Sequence, residues 1–282
     1  MTPVPLRENS PRVLEQIYRK HPVRERPILA RVAARAKNRR SLTPLDLAED
    51  RATDVTDQNH VGGSRMVFAL AAAAGIDQDD VVLDLGCGLG GSARLLAHRF
   101  GCRVDGIDIS RQRVREGNRL TALVGMTSLV HLKRADMLRV QVPASRYDVL
   151  WGQGAWDHVV DKSRFVSRWR AALRPGGRIA LEDVYLKRQP RNAAELRLIR
   201  GLERDWHVTF VSRREWADIL RSAGASVKVQ RDYTAVLVGY FTRLDRTASA
   251  DVPALERRAW RSALSAAECG LIGYLRIVAV CR

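Results

Sequence analysis

The segment Val81-Val-Leu-Asp-Leu-Gly-Cys-Gly-Leu-Gly-Gly-Ser92 runs an apolar, β-branched stretch straight into glycines 86, 88, 90 and 91. A sharp turn, and a ligand lying against bare backbone, both call for residues without a Cβ. The helix expected to follow, through Ala93–Ala97, offers unpaired N–H groups to an anionic or polar ligand. A second expected strand, Arg103–Ile107, ends in Asp108, 22 residues beyond Gly86. A carboxylate there can accept both hydroxyls of a ribose. Gly86, Gly88 and Gly91 also satisfy G-x-G-x-x-G, which alone leaves a nicotinamide or flavin cofactor open. Asp84 narrows the choice, because a carboxylate two residues before the first glycine receives an amino group and repels a pyrophosphate.

The elements that must position these residues fall into three regions. Residues 1–60 are basic and read as a helical N-terminal lid, with Leu14, Ile17 and Tyr18 on one helical face. A second helix is expected from about Pro27 to Arg39, with Ile28, Val32 and Ala33 inward. Residues 61–185 alternate short β-branched runs with amphipathic helices, the pattern of a parallel sheet covered on both faces. The expected strands are Val81–Leu85, Arg103–Ile107, Val130–Lys133, Tyr147–Leu150 and Arg178–Glu182. Residues 186–282 read as a helical cap plus the last two strands, Ser226–Val229 and Leu275–Val280. In the cap, Leu196, Ile199, Leu202 and Trp206 follow helical spacing, and another helix begins in Asp232–Phe241.

With those motifs in order, the sequence resembles the class I S-adenosylmethionine-dependent methyltransferases over at least residues 57–185. Asp84-x-Gly86-x-Gly88-x-Gly90 is similar to their first motif, and Asp108-Ile109 to their ribose-binding acid and its neighbour. Ala135-Asp136-Met137 resembles the adenine-binding segment, and Arg174-Pro-Gly-Gly177 the turn before their fifth strand. The resemblance implies an α/β fold: a Rossmann-like seven-stranded sheet, its order reversing between the first and fourth strands, with the cap inserted around strands 5 to 7. It implies S-adenosylmethionine as the cofactor, with Asp84 at the amino-acid end.

Asp57-Gln-Asn-His-Val-Gly-Gly63, Gly88-Leu-Gly-Gly91 and Trp151-Gly-Gln-Gly154 resemble the subgroup acting on small molecules, such as the sarcosine/dimethylglycine, tocopherol and prenyl-diphosphate enzymes. That likeness places Gln58, His60 and Gly62 at the cofactor or acceptor entrance, and Gln153, Trp156 and His158 toward the acceptor. Gly152 and Gly154 are expected to leave room there. Trp151, Trp156, Tyr185 and Tyr233 are candidates for cation–π support of a cationic acceptor, though each ring serves equally as core. His60 and His158 have an ordinary pKa suited to proton removal near neutrality. A packing role for His158 stays open, as does a surface turn for His60.

Composition sets the outer bounds. A chain of 282 residues, 46% hydrophobic and 28% charged, is ordinary folded protein. Its longest apolar stretch, Val67–Ile76, is far short of the ~20 residues that span a bilayer. The first residues carry no apolar secretory core, and Cys87, Cys102, Cys269 and Cys281 show no C-x-x-C spacing, so a reduced cytoplasmic protein is expected. The net charge of +17 comes almost wholly from arginine. A sequence-wide arginine bias and an acidic partner both account for it. The reading that results is a small-molecule methyltransferase acting on an amine nitrogen. C- or O-methylation of a specialised metabolite or prenyl diphosphate is the alternative, the diphosphate bringing Mg²⁺; no protein metal site is expected. An RNA methyltransferase and a non-methylating cyclase or regulatory module are the outer alternatives. The cap disfavours a nucleic acid substrate, and self-association stays open.

Overall fold

The computed structural model describes residues 15, 24–35, 41–49, 55–141, 144–247 and 252–282. The face drawn from Leu14, Ile17 and Tyr18 lies outside them. Helix α1 spans Glu25–Arg35 and α2 Pro44–Ala48. Ile28 and Val32 of α1 are buried as expected, whereas Ala33 is exposed. They pack with Leu47 of α2 against Leu89, Leu120 and Val124.

The core follows as α3 (Gly63–Ala74), β1 (Val81–Leu85), α4 (Gly91–Phe100), β2 (Arg103–Asp108), α5 (Arg111–Leu123), β3 (Val130–Arg134), β4 (Tyr147–Gln153), α6 (Lys162–Arg170) and β5 (Leu173–Leu186). Then come α7 (Ala193–Trp206), α8 (Arg213–Ser222), β6 (Ala225–Asp232), α9 (Thr234–Thr247), α10 (Ala254–Glu268) and β7 (Ile272–Cys281). The seven strands form one sheet in the order β3-β2-β1-β4-β5-β7-β6, with β7 antiparallel to both neighbours. Every expected strand is present, most of them longer than read. β5 takes in the Arg174–Gly177 turn, with a register shift against β4 between Tyr147 and Val149.

Successive residues of a strand face opposite sides of the sheet, so an apolar run such as Val81–Leu83 needs cover on both. Val82, Val149, Ala180 and Val278 meet Val67, Leu70 and Ala71 of α3 and Leu95 and Leu96 of α4. Leu83, Leu150, Ile179 and Ile277 meet Phe165 and Trp169 of α6 and Trp216 and Leu220 of α8. A third cluster joins α7, α9 and α10 to the far ends of β5 and β7 through Ile199, Leu202, Leu237, Phe241, Trp260 and Tyr274. On α7, Ile199 and Leu202 carry that packing, while Leu196 is 39% exposed. Two helices therefore separate β6 from β7, where a short turn would suffice to join antiparallel neighbours.

Candidate active site

The strand order reverses between β1 and β4, and a pocket lies there beyond their C-terminal ends. This is where an open α/β sheet leaves a crevice. Its first wall is the glycine loop, in which Gly86, Gly88 and Gly90 have φ of 91°, 55° and 74°. Gly91 is required for a different reason: a Cβ there would sit 2.4 Å from Gln58 Nε2 and 2.5 Å from the Asp57 carbonyl oxygen. Gly86 and Gly88 line the pocket, but Gly90 does not; it turns the chain into α4 against Leu132.

Four carboxylates, Asp57, Asp84, Asp108 and Asp136, face this space. Asp84 is buried, and burial followed by the nearby Asp108 charge lifts its pKa to about 8. Asp108 accepts from the backbone N–H of Gly88 at 2.9 Å and of Ser110 at 2.8 Å, which fixes its carboxylate beside the loop. Asp136 accepts from the Leu138 N–H at 2.8 Å, and Ile109 and Met137 line the same side. The donor set fits S-adenosylmethionine: a carboxylate for an amino group, another for ribose hydroxyls, a third beside a base, and bare backbone between them.

The opposite wall holds a buried polar network. Gln153 Oε1 accepts from Ser92 Oγ at 3.0 Å and Trp151 Nε1 at 3.2 Å. His60 Nε2 lies 2.9 Å from Gln58 Oε1 and 3.2 Å from Ser92 Oγ. Gln58 is behind the pocket surface and acts through His60, while Gln153 and His60 line it. Burial drives the His60 pKa down to about 4, so the ring is neutral near pH 7 and a poor base. The ordinary value assumed from sequence does not hold in this environment. His158 also lines the pocket. Its Nδ1 is 3.1 Å from the His207 carbonyl oxygen, which can only accept. In the neutral ring Nδ1 therefore carries the proton and Nε2 the lone pair.

Four aromatic candidates lie elsewhere. Trp151 is packed among the α3 and α4 contacts. Trp156 is 1% exposed, donates to the Leu85 carbonyl oxygen at 3.2 Å and stacks edge-on with Phe165. Its indole fills the space over Gly152, where a Cβ would lie 2.2 Å from Trp156 Nε1, so Gly152 makes room for core and not for an acceptor. Tyr185 donates to Asp232 at 2.9 Å, and Tyr233 stacks on the Arg276 guanidinium at 4.4 Å. Among the described residues, none from α7, α9 or α10 lines the pocket.

Sequence reasoning missed Ser92, Asn59 and Arg113, all on the pocket wall. Arg113 is buried near Gly88, but one more arginine in so arginine-rich a chain gives no signal. Among the described residues there is no group of three His, Cys, Asp or Glu side chains that could hold a metal ion, and no helix is long and apolar enough to cross a membrane.

Residues 82–177 match the family model described as a methyltransferase domain. The chain carries that domain, in the fold of the class I S-adenosylmethionine-dependent methyltransferases. It is 34% identical over 122 residues to a probable chloroplastic tocopherol O-methyltransferase of Oryza sativa subsp. japonica, covering 42% of this chain and 34% of the relative. It is also 34% identical over 165 residues to the 2-methyl-6-phytyl-1,4-hydroquinone methyltransferase of Synechocystis sp., covering 56% of this chain and 51% of that one. The chain thus spans about half or less of the length of these curated relatives. A solved structure of geranyl diphosphate C-methyltransferase from Streptomyces coelicolor, in complex with Mg²⁺, geranyl-S-thiolodiphosphate and S-adenosyl-L-homocysteine, superposes with a TM-score of 0.72 over 99% of each chain at 21% identity.

Proposed function

We propose that this chain binds S-adenosylmethionine in the pocket between β1 and β4 and transfers its methyl group to a small molecule. The acceptor atom in this reading is a protonated heteroatom, an amine nitrogen or a hydroxyl oxygen. The observation that carries the cofactor assignment is the pair Asp84 and Asp108, ending adjacent strands on either side of a glycine loop.

When bound, S-adenosylmethionine supplies an electrophilic methyl and a leaving group that needs no acid. The chain's own work is then alignment, exclusion of water and removal of a proton. Asp108, held by two backbone amides, fixes the ribose, and Asp84 takes the amino group. His158 accepts the acceptor's proton on Nε2. The Asp157 carboxylate, 4.0 Å from that nitrogen, and the His207 carbonyl on Nδ1 stabilise the ring once it is charged. No Phe, Tyr or Trp ring lines the pocket among the described residues, so the wall offers no such cation–π face to the carbocation that methylation of an alkene carbon would create. That weighs against C-methylation. The name of the Oryza relative, an O-methyltransferase, supports a heteroatom acceptor.

His158→Ala tests the base. Turnover should fall by roughly 10²-fold, within the usual range for a lost general base, with S-adenosylmethionine affinity unchanged. Full activity, or a C-methylated product, would overturn this assignment.

A further inference from the structure

We infer that Glu182 and Arg276, neither of which lines the pocket, are positioning residues that set the donor and acceptor sense of its polar wall and hold His60 as the Nε2–H imidazole.

Two buried ion pairs, Arg276–Glu182 and Arg94–Asp57, flank the wall. Arg276 is 4% exposed, and its Nε lies 2.6 Å from Glu182 Oε1. A guanidinium has no acceptor, so that oxygen must accept. Glu182 Oε2 then receives Gln153 Nε2 at 2.9 Å, which turns the amide oxygen of Gln153 toward Ser92. Ser92 donates to that oxygen and keeps a lone pair for His60 Nε2. On the other side, Arg94 NH2 holds Asp57 Oδ2 at 2.8 Å, and Asp57 Oδ1 receives Gln58 Nε2 at 2.6 Å. The oxygen of Gln58 is thereby turned toward His60 as well. Both lines run cation, carboxylate, glutamine, and both present an acceptor to the same ring nitrogen. Only the Val61 carbonyl, 3.3 Å from Nδ1, favours the opposite tautomer.

The consequence rests on the function proposed above. A His60 ring kept uncharged adds no second cation to a pocket built to receive a sulfonium. Burial keeps that ring uncharged; Glu182 and Arg276, from β5 and β7, set which of its two nitrogens carries the proton, with Arg276 anchored in turn on the Tyr233 hydroxyl at 3.1 Å.

An isosteric change inverts the sense. In Glu182→Gln, Arg276 still claims an oxygen, so an NH2 is left facing Gln153. Gln153 must flip, its NH2 then points at Ser92 and Trp151, and the Ser92 proton is turned toward His60 Nε2. The measurement is the ¹⁵N spectrum of histidine-labelled protein at pH 7 without cofactor, with His60 assigned by its loss in His60→Gln. The wild type should show a neutral Nε2–H ring. Glu182→Gln should shift the tautomer ratio toward Nδ1–H by about tenfold, the value of one net hydrogen bond. Tyr233→Phe, which leaves the Arg276–Glu182 pair intact, should match the wild type. A wild-type ring that is Nδ1–H or doubly protonated overturns the inference without any variant. A cooperatively folded Glu182→Gln with an unchanged ratio overturns it too. Calorimetry with S-adenosylmethionine on the same samples tests the proposed function separately, since the tautomer is read without it.

Discussion

Asp84 joins two requirements that oppose each other: it must be buried to meet a ligand away from water, and burial resists its charge. Its pKa of about 8 lies above the ordinary 3.8, so the folded protein holds a proton there that the unfolded chain has lost. That contribution makes the cofactor-free protein less stable as pH rises through the window from 3.8 to about 8. An ammonium arriving from the ligand requires the ionised form. An α-amino group itself titrates near 7.7–8.0 (roughly), so affinity for S-adenosylmethionine should peak near pH 8 and fall by up to about tenfold per unit below it. A titration flat from pH 6 to pH 8 would contradict the role given to Asp84. Asp108→Ala should raise the Kd by about 10- to 100-fold, since it removes hydrogen bonds to a charged group. Unchanged binding would refute the ribose assignment. At this scale the sequence located what the ends of two adjacent strands carry: Asp84 on β1, Gly86 just after it and Asp108 on β2 all come to the same pocket. It failed for Trp156 and Tyr233, because an aromatic residue near a motif carries no sign of which side of the sheet its ring will fill.

The elements of the core were legible because each obeys one period. β1 is buried throughout and apolar except at Asp84, and α3 buries Met66, Val67, Leu70, Ala71 and Ala74 along one stripe. The cap helices were legible singly, but their placement was not. They pack on the ends of β5 and β7 through contacts distant in the chain, leaving the pocket wall to the segment around His60 and the turn after β4. That turn is itself tied down by Lys162, whose Nζ donates to the carbonyl oxygens of Val159 and Thr209 at 2.7 Å each. The segment around His60 is held by the Arg94–Asp57 pair, with side chains 0% and 1% exposed. Arg94→Met should therefore cost about 3–5 kcal/mol in denaturant unfolding, because it strands a buried carboxylate. Arg94→Met combined with Asp57→Asn should recover part of that loss. If the single variant unfolds at the wild-type midpoint, the pair is not what holds His60 in place.

For the whole molecule, the question is what a charge of +17 is for. Many arginines are engaged within the fold: Arg178 pairs with Asp80, Arg146 with Asp105, Arg174 with Asp148 and Arg188 with Glu195. Arg168 donates to the Met137 carbonyl at 2.7 Å. These partners fit an arginine-rich composition put to structural use, and they require no nucleic acid. The pocket, by contrast, is lined by four carboxylates, Asp57, Asp84, Asp108 and Asp136, which suit a cofactor carrying positive charge. The most direct test uses S-adenosylmethionine labelled on its methyl group, incubated with the protein and a cell extract and then fractionated. Label should appear in small molecules, dependent on the protein and lost in Asp108→Ala. Label in RNA, or no transfer to any acceptor, would contradict it.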